Sequence, residues 1–327
     1  MFAVDVTPLG FLTRTPFAPG PLVFVAVLAG WYLRSVAHVN AATAGGSEGG
    51  TGDRWPRMRS VAFLVGMGLI AVATLSGLAS WEQTSFTVHA VIDVAVAMVA
   101  PIFLALGAPL ALAEESAGPQ RRAAMTRVVA SRPFRAVCHP ASAWVIFAAS
   151  LFGLYFSPFF RVARAHETLL QLGHLELLVA GFLLIWPIVG ADPFTRRMPP
   201  GLRAADVLFM LPVLTVFGMA LDSFTTTVAP RITITDLHGA GDVIWSAGVV
   251  IGLAVAAGIL YQWLFVDLGR ARQQEAVDDD ALAMQAALWR VSRLLAKPEA
   301  VREAEREASV DAGTIPVSAR SAQPPRR

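Results

Sequence analysis

Seven stretches of this chain are apolar over the length of a membrane crossing: Pro21–Val39, Met58–Ser80, Phe86–Leu112, Ala141–Phe160, Thr168–Val189, Ala204–Phe224 and Val243–Val266. A hydrocarbon core about 30 Å thick takes about 17–25 helical residues. Inside it every backbone N–H and C=O has to be paired without water, which leaves helices or closed barrels. Long continuous apolar runs select helices. Composition agrees: the chain is 55% hydrophobic and only 15% charged, where a soluble domain carries about 25% charge. The expected fold is an all-α polytopic membrane protein with a seven-helix transmembrane domain over residues 21–266.

Arginine placement sets the expected orientation. Arg14 precedes the first stretch, and Arg34, Arg54, Arg57 and Arg59 follow it. The next connection has none, and then come Arg121, Arg122, Arg127, Arg132 and Arg135. Arg161 and Arg164, then Arg196, Arg197 and Arg203, then Arg231 complete the series before an arginine-rich tail. High and low alternate, so the positive-inside rule places the N-terminus outside and the C-terminus in the cytoplasm. Residues 1–20 lack the basic start of a signal peptide and are expected to be an extracytoplasmic segment. Residues 267–327 are expected to form a cytoplasmic tail, with an amphipathic helix over Ala281–Val301 interrupted at Pro298 and a disordered end from Asp311. The glycine-rich Asn40–Gly52 reads as a flexible connection. A lone cysteine, Cys138, excludes an internal disulfide and a thiolate pair for metal. The formal net charge is only +2, and no nucleic-acid partner is expected; the lipid bilayer is.

Within this apolar frame, Gln171–Pro193 carries both His174 and Glu176. An ionisable group in hydrocarbon costs about 2.5–3.5 kcal/mol on insertion scales, so such a residue is a functional candidate. With the expected orientation, His89, His166, His174 and His238 all fall on the outer half, as do Glu82, Asp93, Glu167, Glu176, Asp222, Asp236 and Asp242. His89 and Asp93 are four residues apart and share a helix face. Glu167, Gln171 and His174 share another, while Glu176 lies about 200° round from His174. The glycine-rich Asp236–Asp242 stretch leads His238 towards the last span. The candidate metal-binding residues are therefore His89, Asp93, His174, Glu176, Asp236 and His238. Each has a plainer reading too: interfacial histidines are commonly solvated, and a His–Asp pair one turn apart also serves helix packing. Trp81, Trp186 and Trp245 read as interfacial anchors; Met98, Met210 and Met219 read as core fillers. Pro109 and Pro187 are expected to kink or end helices.

Several motifs in order carry a family resemblance. They are Ala100-Pro-Ile-Phe-Leu-Ala-Leu-Gly-Ala-Pro109, His139-Pro, Ser150-Leu-Phe-Gly-Leu-Tyr-Phe-Ser-Pro158, His174 with Gly181, Trp186-Pro-Ile-Val-Gly-Ala-Asp-Pro193, and Asp236 through Trp245. Over roughly His89 to Asp267 the chain resembles the CtaG-type cytochrome c oxidase assembly proteins in their actinobacterial style. The resemblance implies a cytoplasmic-membrane protein that helps insert copper into, or mature, a haem-copper oxidase, with oxidase subunits or copper chaperones as partners. It also marks departures. Where the family shows a second histidine one turn after the first on span three, this chain has Asp93. The second position of a His-x-His on span five is Glu176. The histidine after Met-Pro on span six corresponds to Leu214, and a glutamine after the last-loop aspartate corresponds to Leu237. Cuprous copper prefers thiolate, thioether and imidazole to carboxylate, so the copper expectation is weaker than the family one.

Transport of copper or another small ion is the alternative function. It needs a polar path through the midplane, whereas the inner halves carry little beyond Asp206. No nucleophile or cofactor motif points to an enzyme. The only lysine, Lys297, lies in the tail, which excludes a retinal Schiff base within the bundle.

Overall fold

The computed structural model describes residues 18–45, 54–190, 192, 198–224 and 232–313. Residues 1–17, 46–53 and 314–327 lie outside it, and with them Arg14, most of the expected N-terminal segment, much of the expected flexible connection and most of the expected disordered end. Arg196, Arg197 and Arg231 lie outside it as well. Two compact units are present, Met1–Leu260 and Tyr261–Arg327.

Among its described residues, the regular elements of the first unit are all helical. Its elements are α1 (Pro19–Gly45), α2 (Arg57–Leu75), α3 (Gly77–Glu82), α4 (Phe86–Leu106), α5 (Pro109–Ser116) and α6 (Pro119–Ala130). They continue as α7 (Arg132–Val137), α8 (Pro140–Phe156), α9 (Phe159–Ala165), α10 (Glu167–Val189), α11 (Pro200–Asp222) and α12 (Ile234–Tyr261). Helix α1 extends to Gly45, into the stretch expected to be flexible. Among the described residues, six helices are long and apolar enough to cross a membrane: α1, α2, α4, α10, α11 and α12. The fourth expected span is shorter than its sequence range. Helix α8 stops at Phe156 after 17 residues, because Ser157 precedes Pro158 and takes an extended conformation (φ −101°, ψ 161°). The remainder of that stretch turns into the short α9.

Helices α4 and α10 form the centre. About two thirds of each span is buried, 67% and 61%, against 17% for α1 and 22% for the last span. The peripheral helices thus keep broad apolar faces for lipid, as bundles in hydrocarbon do. Phe86, Ala90, Phe147, Leu151, Leu177, Leu184, Phe217 and Leu237 pack the main core from five helices. Gly181 sets the closeness of the central pair: a Cβ there would lie 1.9 Å from the Ala97 carbonyl oxygen. Ala97 belongs to a π-helical turn, Ala95–Val99, inside α4. A π turn widens the helix locally, and it bulges where α10 has no side chain.

The corner after α4 follows its motif. Gly107 and Ala108 end the helix, Ala108 in the left-handed region (φ 47°), and Pro109 begins α5. Pro187 neither ends nor breaks α10, which continues to Val189 and closes on left-handed Gly190.

The second unit holds a π-helical segment, Gln262–Asp267, and a 46-residue helix α13, Leu268–Gly313. This helix runs through Pro298, where an interruption was expected. A proline removes one backbone hydrogen bond, and the many turns on either side carry the helix across. Val277, Leu282, Met284, Leu288 and Trp289 are exposed on it.

Candidate metal centre

The chain between α2 and α4 is shaped by two serines. Ser76 leaves α2 extended, and its hydroxyl accepts from the Leu78 N–H at 3.2 Å, starting α3. The N–H groups of Thr84 and Ser85 both donate to the Trp81 carbonyl at 2.9 Å, closing a turn. Ser85 then caps α4 by accepting from the Val88 N–H at 3.3 Å. This turn folds Glu82 back over the first turn of α4, where His89 lies.

Four ionisable side chains converge there from three elements: Glu82 at the end of α3, His89 and Asp93 on α4, and His174 on α10. The His89 Nδ1 lies 2.6 Å from Glu82 Oε1, and the His89 Nε2 lies 3.3 Å from Asp93 Oδ2. The His174 Nε2 stands 3.0 Å from Glu82 Oε1 and 3.4 Å from Asp93 Oδ1. All four residues are buried, His89 completely and His174 with 7% exposed. The imidazole centroids are 5.8 Å apart. Phe86, Tyr155 and Phe160 surround the His89 ring, and the Tyr155 hydroxyl donates to Asp93 Oδ2.

Three atoms facing one another here lack a hydrogen bond: His89 Nε2, Asp93 Oδ1 and His174 Nε2. The 3.0 Å approach of His174 Nε2 to Glu82 Oε1 is an ion-pair distance. Buried polar atoms are almost always paired, because leaving one bare costs about 1–3 kcal/mol. Burial works against ionisation of Glu82, but attraction to His174 and His89 outweighs it and holds the carboxyl below its usual range.

These donors fit a divalent cation. Bonds of about 2.0–2.1 Å in tetrahedral geometry put neighbouring ligand atoms about 3.3 Å apart, close to the 3.4 Å between Asp93 Oδ1 and His174 Nε2; the 3.3 Å contact of His89 Nε2 is with the other oxygen, Oδ2. Glu82, His89 and His174 each offer a ligand atom within 4.8 Å of the others. With Glu82 accepting from His89 Nδ1–H, the His89 Nε2 lone pair is left to face the cluster. A carboxylate on the far nitrogen of a ligating histidine is the usual way such a ring is oriented and made more basic.

The other sequence candidates stand elsewhere. Glu176, on a different face of α10, accepts from the Ser150 hydroxyl of α8. His238 Nε2 is 3.2 Å from the Phe224 carbonyl. Asp236 caps α4 from α12: it accepts from the N–H groups of Phe86 and Thr87, the Thr87 hydroxyl at 2.6 Å and the Ser85 hydroxyl at 3.0 Å. Its carboxylate is thus spent on the open N–H groups of that helix start. The structure brings His89, Asp93 and His174 together and adds Glu82, which was counted among the acids of that half but not among the candidates. The available indication was a glutamate in a short connection seven residues before His89. Leu214 and Leu237, at the positions where polar residues were expected by resemblance, are both fully buried in the main apolar core.

No solved structure matches the chain. Uncharacterized proteins of Mycobacterium bovis and Mycobacterium tuberculosis are each 28% identical over 74% of this chain, and one of Mycobacterium leprae is 27% identical over the same share. The chain spans 40% of the length of these curated relatives. Residues 30–265, which include every member of the cluster, match the Caa3_CtaG family, described as cytochrome c oxidase caa3 assembly factors, and the chain belongs to that family.

Proposed function

We propose that this protein is a non-catalytic assembly factor of the cytoplasmic membrane that supports maturation of a cytochrome c oxidase on the outer face. In this reading the Glu82–His89–Asp93–His174 centre holds the metal in transit. The observation that carries it is the convergence of three buried atoms without a hydrogen bond, His89 Nε2, Asp93 Oδ1 and His174 Nε2, in a chain of this family. Seven crossings suit it: α8, at 17 residues, is about 25 Å long at the helical rise and sits at the short limit for a span. Seven crossings also put the two termini on opposite sides, as the arginine pattern requires.

The donor set selects among metals. Two imidazoles with carboxylates suit cupric copper or zinc better than cuprous copper. The cargo is therefore a copper ion taken in its divalent state, and zinc is the comparison ion. The protein's own part is to exclude water, orient both imidazoles and supply negative charge that offsets the ion.

The test is oxidase from a strain lacking this gene, assayed for copper content and haem a absorbance, with the gene restored as wild type, His89→Ala or His174→Ala. Low copper with haem a retained is expected in the deletion and in both variants, and only wild type should restore it. Copper-replete, active oxidase in the deletion strain would overturn the assembly reading. Restored copper with either histidine variant would remove the centre from it.

A further inference from the structure

Two cavities reach His174, and they differ in chemistry. One, of about 140 Å³, is lined by Glu82, Gln83, Glu167, Gln171, Ser80 and Thr74 among others. The other, of about 240 Å³, is walled by Phe24, Ile70, Val96, Leu172 and Leu178, and among the described residues His174 is the one ionisable side chain along it. We propose that the smaller, polar cavity is the path by which a divalent cation reaches the His174–His89 centre, with Glu167 as its first docking group. This rests on the reading of the cluster as a metal centre and adds how that centre is filled.

The burial gradient gives the path its direction. Glu167 and Gln83 are exposed, Gln171 is half-buried, and Glu82 and His174 are buried. Acidic groups therefore stand at the mouth and on the floor, and among the described residues neither arginine nor lysine lines the wall. The floor holds His174 Nε2, which has no hydrogen bond, so an incoming ion meets a nitrogen that can ligate it at the end of the path. The volume exceeds that of several waters at about 30 Å³ each, so an ion can keep part of its hydration until the imidazoles replace it. The apolar cavity offers no such exchange, and a bare charge against hydrocarbon side chains is costly.

Gln171 stands between the two cavities and lines both. Its side-chain N–H donates to Glu167 Oε1 at 3.1 Å, which ties the divider to the mouth. Its amide oxygen lies only 2.8 Å from where a Cβ on Gly20 would be. A side chain at residue 20 would displace the Gln171 amide, so α1 packs closely against the partition.

The path is tested on the full chain in a Cys138→Ser background, purified in detergent. Ala79→Cys places a thiol on the polar cavity and Leu172→Cys places one on the apolar cavity. Each is labelled with a neutral benzyl methanethiosulfonate reagent. Cupric ion loading is followed by stopped-flow competition with a fluorescent chelator, and equilibrium occupancy by dialysis. The label on the Ala79→Cys variant is expected to slow loading about tenfold or more, with equilibrium occupancy unchanged. The label on Leu172→Cys should leave the rate alone, and Glu167→Gln should slow it about threefold through loss of local attraction. An unchanged rate with the labelled Ala79→Cys variant, or equal slowing from Leu172→Cys, would overturn the path while leaving the centre in place. Should the Ala79→Cys variant fail to fold, the exposed Glu167→Gln decides alone: an unchanged rate overturns the path. An unlabelled chain that holds no ion at equilibrium would overturn the metal centre itself, and the path with it.

Discussion

The Glu82 carboxylate does two jobs, because a single oxygen, Oε1, lies within 3.0 Å of both imidazoles. Replacing it with glutamine keeps the shape and removes the charge. Breaking a buried ionic pair this way costs about 3–5 kcal/mol, so Glu82→Gln should unfold markedly earlier than wild type in detergent at neutral pH. The effect depends on pH in a known direction. The folded protein holds this carboxyl below its ordinary value of 4.5. Its ionised form therefore stabilises the fold above that pH, and the contribution is lost as pH falls below it. The gap in melting temperature between wild type and Glu82→Gln should narrow as pH is lowered from 7 towards 3.5. A constant gap would mean that Glu82 acts through packing alone. Cation affinity, measured separately at pH 7, should drop about 10–100-fold, as when a carboxylate behind a ligating histidine is lost.

At the scale of the helix pair, His174 reaches the α4 residues because α10 touches α4 at Gly181. Seven residues separate Gly181 from His174, close to two helical turns, so both lie on one face. Gly181→Ala would set a methyl carbon 1.9 Å from the Ala97 carbonyl oxygen, and the helices would have to part. Overpacking of this kind costs about 1–3 kcal/mol or more, and here it also swings His174 away from Asp93. Gly181→Ala should lose cation binding along with stability, while Gly153→Ala, with nothing within 4 Å of the added carbon, should keep both. Equal loss from the two variants, read by melting and by equilibrium dialysis, would count against this contact. The helices themselves were legible from apolar run length, and His89 with Asp93 from their spacing of four. The partner across the interface was not. A helical pattern fixes which residues share a face but not which faces meet, and Glu82 belongs to a turn whose course Ser76 and Ser85 decide. Asp236 illustrates the same limit: its residue type suits a ligand, and only its place against the start of α4 shows it spent on backbone N–H groups.

Across the first unit, carboxylates from distant elements hold the start of α4 and brace the corner that follows it. Asp236 binds the N–H groups and hydroxyls at its start. Beyond its far end, buried Asp192 accepts from the Ala111 N–H of α5 at 2.6 Å and from the Trp186 indole N–H at 2.7 Å. Burial raises the Asp192 carboxyl above its usual value, although the hydrogen bonds oppose the shift. The Tyr32 hydroxyl adds a bond to the Gly107 carbonyl at 2.8 Å. These links explain why the Trp186–Asp192 and Asp236–Trp245 motifs occur in a chain whose candidate cluster lies elsewhere: they brace the start of the helix that carries His89 and Asp93 and the corner after it. The two links should separate in their effects. Asp236→Ala bares several donors three residues before His89, so it should cost about 1–3 kcal/mol and weaken cation binding. Asp192→Ala should cost a similar amount while leaving binding nearly intact, because its contacts lie past the opposite end of α4, some thirteen residues beyond Asp93, or about 20 Å of helix. Melting temperature and equilibrium dialysis on the two variants decide the matter. If Asp192→Ala lowered affinity as much as Asp236→Ala at equal loss of stability, α4 would be transmitting strain along its whole length, and the centre would depend on the global fold rather than on its local clamp.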